Sequence, residues 1–268
     1  MSQLAVIGAG NMGQALLAGA LRAGFEPADV SVTTLDSHFR EQIATNFGVN
    51  VVSDNAQAVT GASLVLVCVK PKDIPAVLAE IAPALAPNCV VVSVAVGITL
   101  AALAGYLPPE QPIIRAMPNT PASVGAGITA ISPGPTVSPA QLALAQQVLG
   151  GSGAVVVVSE ADQPAVGAIS GSGPAYVAYF IEALIEAGVQ QGLTRAVATQ
   201  LAIETFKGTA LMLAATGEHP SLARERVTSP GGTTAAALHA LDTGAVRGTI
   251  AQAVAAAIAR TNAIASPH

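Results

Sequence analysis

Up to about residue 160, short β-branched runs alternate with segments of helical period, and no other feature constrains the fold so tightly. The runs are "LAVIG" (4–8), "VSVTT" (30–34), "VNVV" (49–52), "SLVLVCV" (63–69), "CVVVSV" (89–94) and "PIIRA" (112–116). Helix-like segments at 12–23, 37–47 and 73–85 separate them. Several runs are apolar along their whole length, so a sheet built from them must be covered on both faces. Alternation of strand and helix predicts a mostly parallel sheet. Two further strands, "GAGITAI" (125–131) and "GAVVVV" (153–158), flank a helix expected near 138–149. From "SGSGPAYVAYF" onward the strands stop. Helices are expected from Pro174 to about Ala187, after Thr194 to near Gly217, then near 221–227, 234–243 and 245–264. The hydroxyls of "SGSGP" read as helix caps. An α/β domain over 1–160 followed by an all-helical domain over 161–268 is the predicted organisation.

Composition narrows the partners. Half of the 268 residues are apolar and a tenth are charged, which suits a large buried interior. Three lysines and eight arginines against a net charge of −5 give no basic stripe for nucleic acid. Cys68 and Cys89 each fall in a strand-like run, so no disulfide framework is expected. His219 and His239 lack a second ligand at metal spacing. The apolar start lacks a basic leader, and no uninterrupted apolar run is long enough to span a bilayer. A cytoplasmic protein is expected.

"IGAGNMGQA" places Gly8, Gly10 and Gly13 in G-x-G-x-x-G spacing, directly after a strand and opening a helix. Gly8 allows the tight turn, Gly10 lets the backbone approach a diphosphate, and Gly13 allows close helix–strand packing. Free N–H groups at the helix start then bind the anion. A Rossmann-type dinucleotide-binding domain follows. An acid that reads a ribose 2′-hydroxyl is missing from the end of the second strand, where Thr33 and Thr34 stand. Thr34, Ser37 and Arg40 suit a 2′-phosphate instead, so NADP is expected, with NAD as the second candidate.

"SPGGTT" (229–234) carries no strong acid, base or nucleophile. Pro230 stiffens the loop, Gly231 and Gly232 leave backbone N–H groups unshielded, and the following helix adds its positive end. That is an anion pocket without a cation, with a carboxylate as the natural small guest. The helix at 195–216 confines its polar side chains Gln200, Glu204 and Lys207 to one narrow stripe. A helix apolar most of the way round must be buried on several sides, which a domain this small cannot do alone. A second, identical subunit is inferred.

The chain resembles pyrroline-5-carboxylate reductase in "IGAGNMG" (7–13), "VKP" (69–71), "IIRAMPNTPASVGAG" (113–127), "SGSGPAY" (170–176), "GEHP" (217–220) and "VTSPGGTT" (227–234). These pieces stand in family order and span nearly the whole chain. The resemblance implies reduction of 1-pyrroline-5-carboxylate to L-proline by NAD(P)H, and a homodimer that can assemble further into rings. On the family's motif Thr234 hydrogen-bonds the imine nitrogen, while Ser229, Gly231, Gly232 and Thr233 hold the substrate carboxylate. The expected cofactor contacts are Gly8, Gly10, Asn11, Met12, Gly13, Thr34, Ser37, Arg40, Asn55, Val69, Lys70, Pro71 and Asn119. A β-hydroxyacid dehydrogenase is the nearest rival, but it needs a helix lysine, and no lysine lies between Pro174 and Thr205. A non-catalytic dinucleotide-binding module would leave the anion pocket unused.

Overall fold

The computed structural model describes residues 3–35 and 37–265. Eight strands form one sheet: β1 (Leu4–Ile7), β2 (Val30–Thr33), β3 (Asn50–Val52), β4 (Leu64–Val67), β5 (Val90–Ser93), β6 (Ile113–Met117), β7 (Gly127–Pro133) and β8 (Gly153–Val157). Their order is β3-β2-β1-β4-β5-β6-β7-β8. Every neighbouring pair is parallel except β6 and β7. Residues 118–126 between those two strands hold only a 3-10 turn, Thr120–Val124. A connection that short turns the chain back rather than crossing over to a parallel position.

The intervening helices are α1 (Asn11–Arg22), α2 (Ser37–Phe47), α3 (Asn55–Val59), α4 (Ile74–Ile81), α5 (Leu100–Ala104), α6 (Pro139–Gly150) and α7 (Gln163–Val166). Alternate strand residues divide the core into two layers. Leu4, Val6, Val32, Leu66 and Val92 face one side with Leu16 and Leu17 of α1 and Val148 of α6. Ala5, Ile7, Val65, Val67 and Val91 face the other with Val59 of α3, Leu78 of α4 and Leu103 of α5. Both faces are buried, which is why the strands read as continuous apolar runs.

The helical part comprises α8 (Gly173–Gln190), α9 (Arg195–Thr216), α10 (Pro220–Arg226), α11 (Thr233–Thr243) and α12 (Val246–Ala265). The chain falls into two units, one running to Ser172 with the end of α12 from Ala257, the other Gly173–Ala256. The structure departs from two expectations. Helix α8 does not stop before Gly188. It continues to Gln190, and Gly188 serves packing, since a Cβ there would lie 3.2 Å from the Ala198 Cβ of α9. Nor do the serines of "SGSGP" cap a helix. Gly167–Gly171 forms one turn of π-helix, and the Ser170 hydroxyl donates to the Val166 carbonyl at 3.0 Å. That turn sits on Met117 of β6, whose terminal methyl would be 2.5 Å from a Cβ at Gly171.

Candidate functional site

The glycine turn is pinned to the end of β2. The N–H groups of Gly8 and Ala9 donate to the Thr33 carbonyl at 3.1 and 2.9 Å. Gly8 has φ +87°, in the left-handed region, and a Cβ there would come within 2.6 Å of Val69 Cγ1. At Gly13 a Cβ would stand 2.5 Å from the Gly8 carbonyl oxygen, so α1 and the turn touch through backbone alone. Gly10 differs: it is exposed, and a Cβ would meet nothing within 4 Å. No side chain caps α1 and no acid stands in its first turn. The N–H groups of Asn11, Met12 and Gly13 have no acceptor within the helix. This open backbone face beside uncapped amides fits a diphosphate.

A cleft of about 640 Å³ lies over the turn. Gly8, Gly10, Asn11 and Met12 form one wall, Thr34, Leu35 and Phe39 a second, and Cys68, Val69, Lys70, Lys72 and Asp73 the third. Two ammonium groups against one carboxylate make the cleft locally basic in an acidic chain, which suits a phosphorylated ligand. Burial pushes the Cys68 thiol up to about 12, so it is neutral at physiological pH and no nucleophile. Leu35, Phe39, Cys68, Lys72 and Asp73 were absent from the sequence-based set. Lys72 carried a signal in "VKPK", but the other four reach the cleft only through the placement of β2, α2 and β4.

The remaining expected contacts are placed less directly. Arg40 stands beside Thr34, with Nε donating to its carbonyl at 3.3 Å. The side chain of Ser37 lies outside the described residues. Pro71 opens the 3-10 turn Pro71–Asp73 immediately after Lys70. Asn119 braces its own loop, its Oδ1 accepting from the Ile128 N–H at 2.9 Å. Asn55 accepts from the Thr33 hydroxyl at 2.7 Å and donates to Glu80 at 2.8 Å. None of Arg40, Asn55, Pro71 or Asn119 lines the cleft.

In the helical unit, "SPGGTT" is a β-turn leading into α11. The Gly232 N–H donates to the Ser229 carbonyl at 3.0 Å, and Gly231 between them has φ +66°. Pro at the second place and positive-φ Gly at the third are the requirements of a type II turn. A Cβ on Gly232 would strike the Ser229 hydroxyl, which would have to turn aside. Gly232's own N–H is spent inside the turn. Helix α11 has no side-chain cap and no acid in its first turn, leaving the N–H groups of Thr233 and Thr234 without acceptors. The Thr234 hydroxyl is half-buried and makes no hydrogen bond among the described residues. Upstream, the Thr228 hydroxyl donates to the Arg224 carbonyl at 2.6 Å and ties the loop to α10. His219 caps α10, its Nδ1 accepting from the Ser221 N–H at 3.3 Å. Among the described residues no group of three or more His, Cys, Asp or Glu side chains could hold a metal ion.

The chain is similar to known proteins over nearly its whole length. The family described as NADP oxidoreductase coenzyme F420-dependent matches residues 3–97, and that described as pyrroline-5-carboxylate reductase dimerisation matches 160–264. A pyrroline-5-carboxylate reductase of Corynebacterium melassecola is 41% identical, over 97% of this chain and 98% of its own. The structure of a pyrroline-5-carboxylate reductase from Coxiella burnetii superposes with a TM-score of 0.94 at 36% identity, covering 99% of both chains. That of Plasmodium falciparum pyrroline carboxylate reductase, solved with NADP bound, superposes at 0.87 with 29% identity, covering 99% of this chain and 98% of that one. With likeness at this level running the length of both units, the chain belongs to the pyrroline-5-carboxylate reductase family.

Proposed function

We propose that the chain reduces 1-pyrroline-5-carboxylate to L-proline with NADPH, the last step of proline biosynthesis. The observation that carries this reading is the pair of uncapped helix starts. One, at α1, is open for a diphosphate, and one, at α11, is shaped for a small carboxylate. Residues 1–160 serve as the nucleotide domain and 161–268 as the domain for substrate and dimerisation. Bound NADPH supplies the hydride. Gly8, Gly10 and Gly13, with the amides of Asn11 and Met12, hold the diphosphate. Lys70, Val69 and Pro71 border it, and Asn55 and Asn119 complete the set. Thr34, Ser37 and Arg40 take the 2′-phosphate, which makes NADPH the preferred cofactor over NADH.

The substrate's carboxylate sits on the turn from Ser229 through Gly231 and Gly232 to the N–H groups of Thr233 and Thr234. Its ring nitrogen receives the Thr234 hydroxyl. Protonated imine accepts hydride at the C=N carbon more readily, and one proton from solvent completes the reduction. A threonine hydroxyl is too weak an acid to supply that proton alone, so Thr234 positions the ring and relays the proton.

The working unit is a homodimer, and the family resemblance extends it to a ring of dimers. Exposed Leu201, Leu211 and Tyr179 on α8 and α9 support the dimer. No helix among the described residues is long and apolar enough to cross a membrane. The free thiols Cys68 and Cys89 support a reducing, cytoplasmic setting. The test is to supply chemically prepared 1-pyrroline-5-carboxylate and follow NADPH absorbance together with proline. Failure to form proline in step with NADPH consumption would overturn the reading.

A further inference from the structure

Glu80 is an exposed residue of α4, and no step of the proposed reduction uses it. Its carboxylate nevertheless takes two donors from the first residue of α3. Asn55 Nδ2 donates to Oε2 at 2.8 Å, and the Asn55 backbone N–H donates to Oε1 at 3.3 Å. At the other end of the same amide, the Thr33 hydroxyl donates to Asn55 Oδ1 at 2.7 Å. Thr33 is 4% exposed, and its carbonyl is the one that receives the Gly8 and Ala9 N–H groups.

A carboxylate only accepts, so Glu80 decides which end of the Asn55 amide turns toward α4. The amide oxygen must then face β2, and the Thr33 hydroxyl must donate to it. One amide N–H of Asn55 remains, a donor suited to a ribose or phosphate oxygen. Without the carboxylate the amide can turn over, and the Thr33 hydroxyl would then accept rather than donate. Because Glu80 is exposed, its charge is screened by water, and its influence runs through hydrogen bonds rather than through its field.

We propose that Glu80 is a positioning residue for the dinucleotide. Through Asn55 and Thr33 it fixes the end of β2 and the glycine turn in the geometry that receives the adenosine half of NADPH. The inference rests on the NADPH-dependent reduction proposed above.

The experiment compares wild type with Glu80→Ala and Glu80→Gln in three measurements. These are the NADPH dissociation constant by calorimetry without imine, kcat and KM for both reactants, and Tm. Glu80→Ala should raise the Kd and KM for NADPH about tenfold, the worth of one hydrogen bond to a charged group. The kcat and the imine KM should stay within about twofold of wild type. Glu80→Gln keeps one accepting oxygen and should bind NADPH only about threefold more weakly than wild type. An unchanged Kd in Glu80→Ala overturns the proposal, as does tighter NADPH binding, equal loss in both variants, or a lowered Tm with Kd unmoved. If wild type binds NADPH but leaves the imine unreduced, the proposed reaction fails, while the Kd comparison still decides the role of Glu80.

Discussion

Gly10→Ala and Gly13→Ala should separate cofactor binding from folding within a single turn. Gly10 has φ −74° and ψ −166°, open to any L residue, and its Cβ would meet nothing within 4 Å. As an N-cap change from Gly to Ala it costs from a few tenths to about 1 kcal/mol. The apo protein should therefore melt no more than about 2–4 °C lower. Yet the new methyl stands where the diphosphate must approach the backbone. Weakening two charge-assisted hydrogen bonds of about 1.5 kcal/mol each raises the NADPH Kd about a hundredfold. At a concentration a hundred times the wild-type Kd, NADPH stabilises wild type by about 2.7 kcal/mol and Gly10→Ala by only about 0.4 kcal/mol. Gly13→Ala reverses the pattern. Its Cβ would be 2.5 Å from the Gly8 carbonyl oxygen and 3.4 Å from Cys68 Cβ, and the first neighbour is backbone that has little room to yield. Overpacking of about 1–3 kcal/mol, less a helix-propensity gain of about 1 kcal/mol, leaves up to about 2 kcal/mol of destabilisation. Thermal melts with and without NADPH, beside calorimetric Kd values, measure both effects. Wild-type affinity in Gly10→Ala would remove the dinucleotide from this turn. An apo Gly13→Ala more stable than wild type would refute the packing argument.

Thr234→Ala should lower kcat/KM for the imine by about threefold to a hundredfold, the range for one lost hydrogen bond, with NADPH affinity unchanged; unaltered kcat/KM would remove the hydroxyl from the mechanism. Arg40→Ala should weaken NADPH by about tenfold and spare NADH, as expected for a lost guanidinium–phosphate contact. Equal effects on the two cofactors would make Arg40 a surface charge. Burial holds the thiols of Cys68 and Cys89 up at about 12, above their ordinary value, so the fold favours the neutral form. Their contribution to stability is thus complete below the ordinary thiol range and is lost as pH rises toward about 12. Iodoacetamide should accordingly label the native protein slowly at pH near 9, and rapid labelling there of Cys68, half-buried at the cleft, would refute a neutral thiol.

The strands are legible in the sequence because each is a short apolar run bounded by turn residues, and the sheet buries both faces. Helices α3 and α5 are not legible, since five residues each leave no room for a helical period. Their one local signal is the cap. Asp54 accepts from the Gln57 N–H, and Thr99 from the Ala102 N–H. Gly188 reads as a stop because a glycine that ends a helix and one that admits a neighbouring helix look alike in sequence. The π-turn at 167–171 packs on Met117 of a distant strand, a contact that no local pattern reports. At the site, the spacing of Gly8, Gly10 and Gly13 and the Pro–Gly pair at 230–231 encode their own turns. The relay from Thr33 through Asn55 to Glu80 joins β2, α3 and α4, and only the folded sheet brings those together.

In the proposed function the helical unit serves both substrate binding and assembly. Helix α9 has twenty-two residues, and only Ala198 and Ala202 are buried. Val197, Leu201, Ile203, Leu211 and Met212 stand exposed along it. A large apolar side chain gains about 1.5–3 kcal/mol on full burial, so covering these five half-exposed ones yields on the order of 5 kcal/mol. Both chains of a symmetric dimer contribute these five, on the order of 10 kcal/mol together, against about 4–15 kcal/mol of freedom lost on association, so α9 by itself leaves little margin. The proposed interface must therefore reach further, over Tyr179 and Leu184 of α8, Leu222 of α10, Val227 just after α10 and Leu241 of α11, all exposed. Val227 lies two residues before Ser229, at the edge of the turn proposed to bind the carboxylate. In the single chain Ser229, Pro230, Gly231 and Thr233 face water, where a backbone N–H competes poorly for a carboxylate. Covering that edge lowers the local dielectric and strengthens the same hydrogen bonds without any new residue. The exposed apolar surface of the helices is continuous in sequence with the turn proposed for the carboxylate, so the proposed dimer would serve the chemistry as well as the fold.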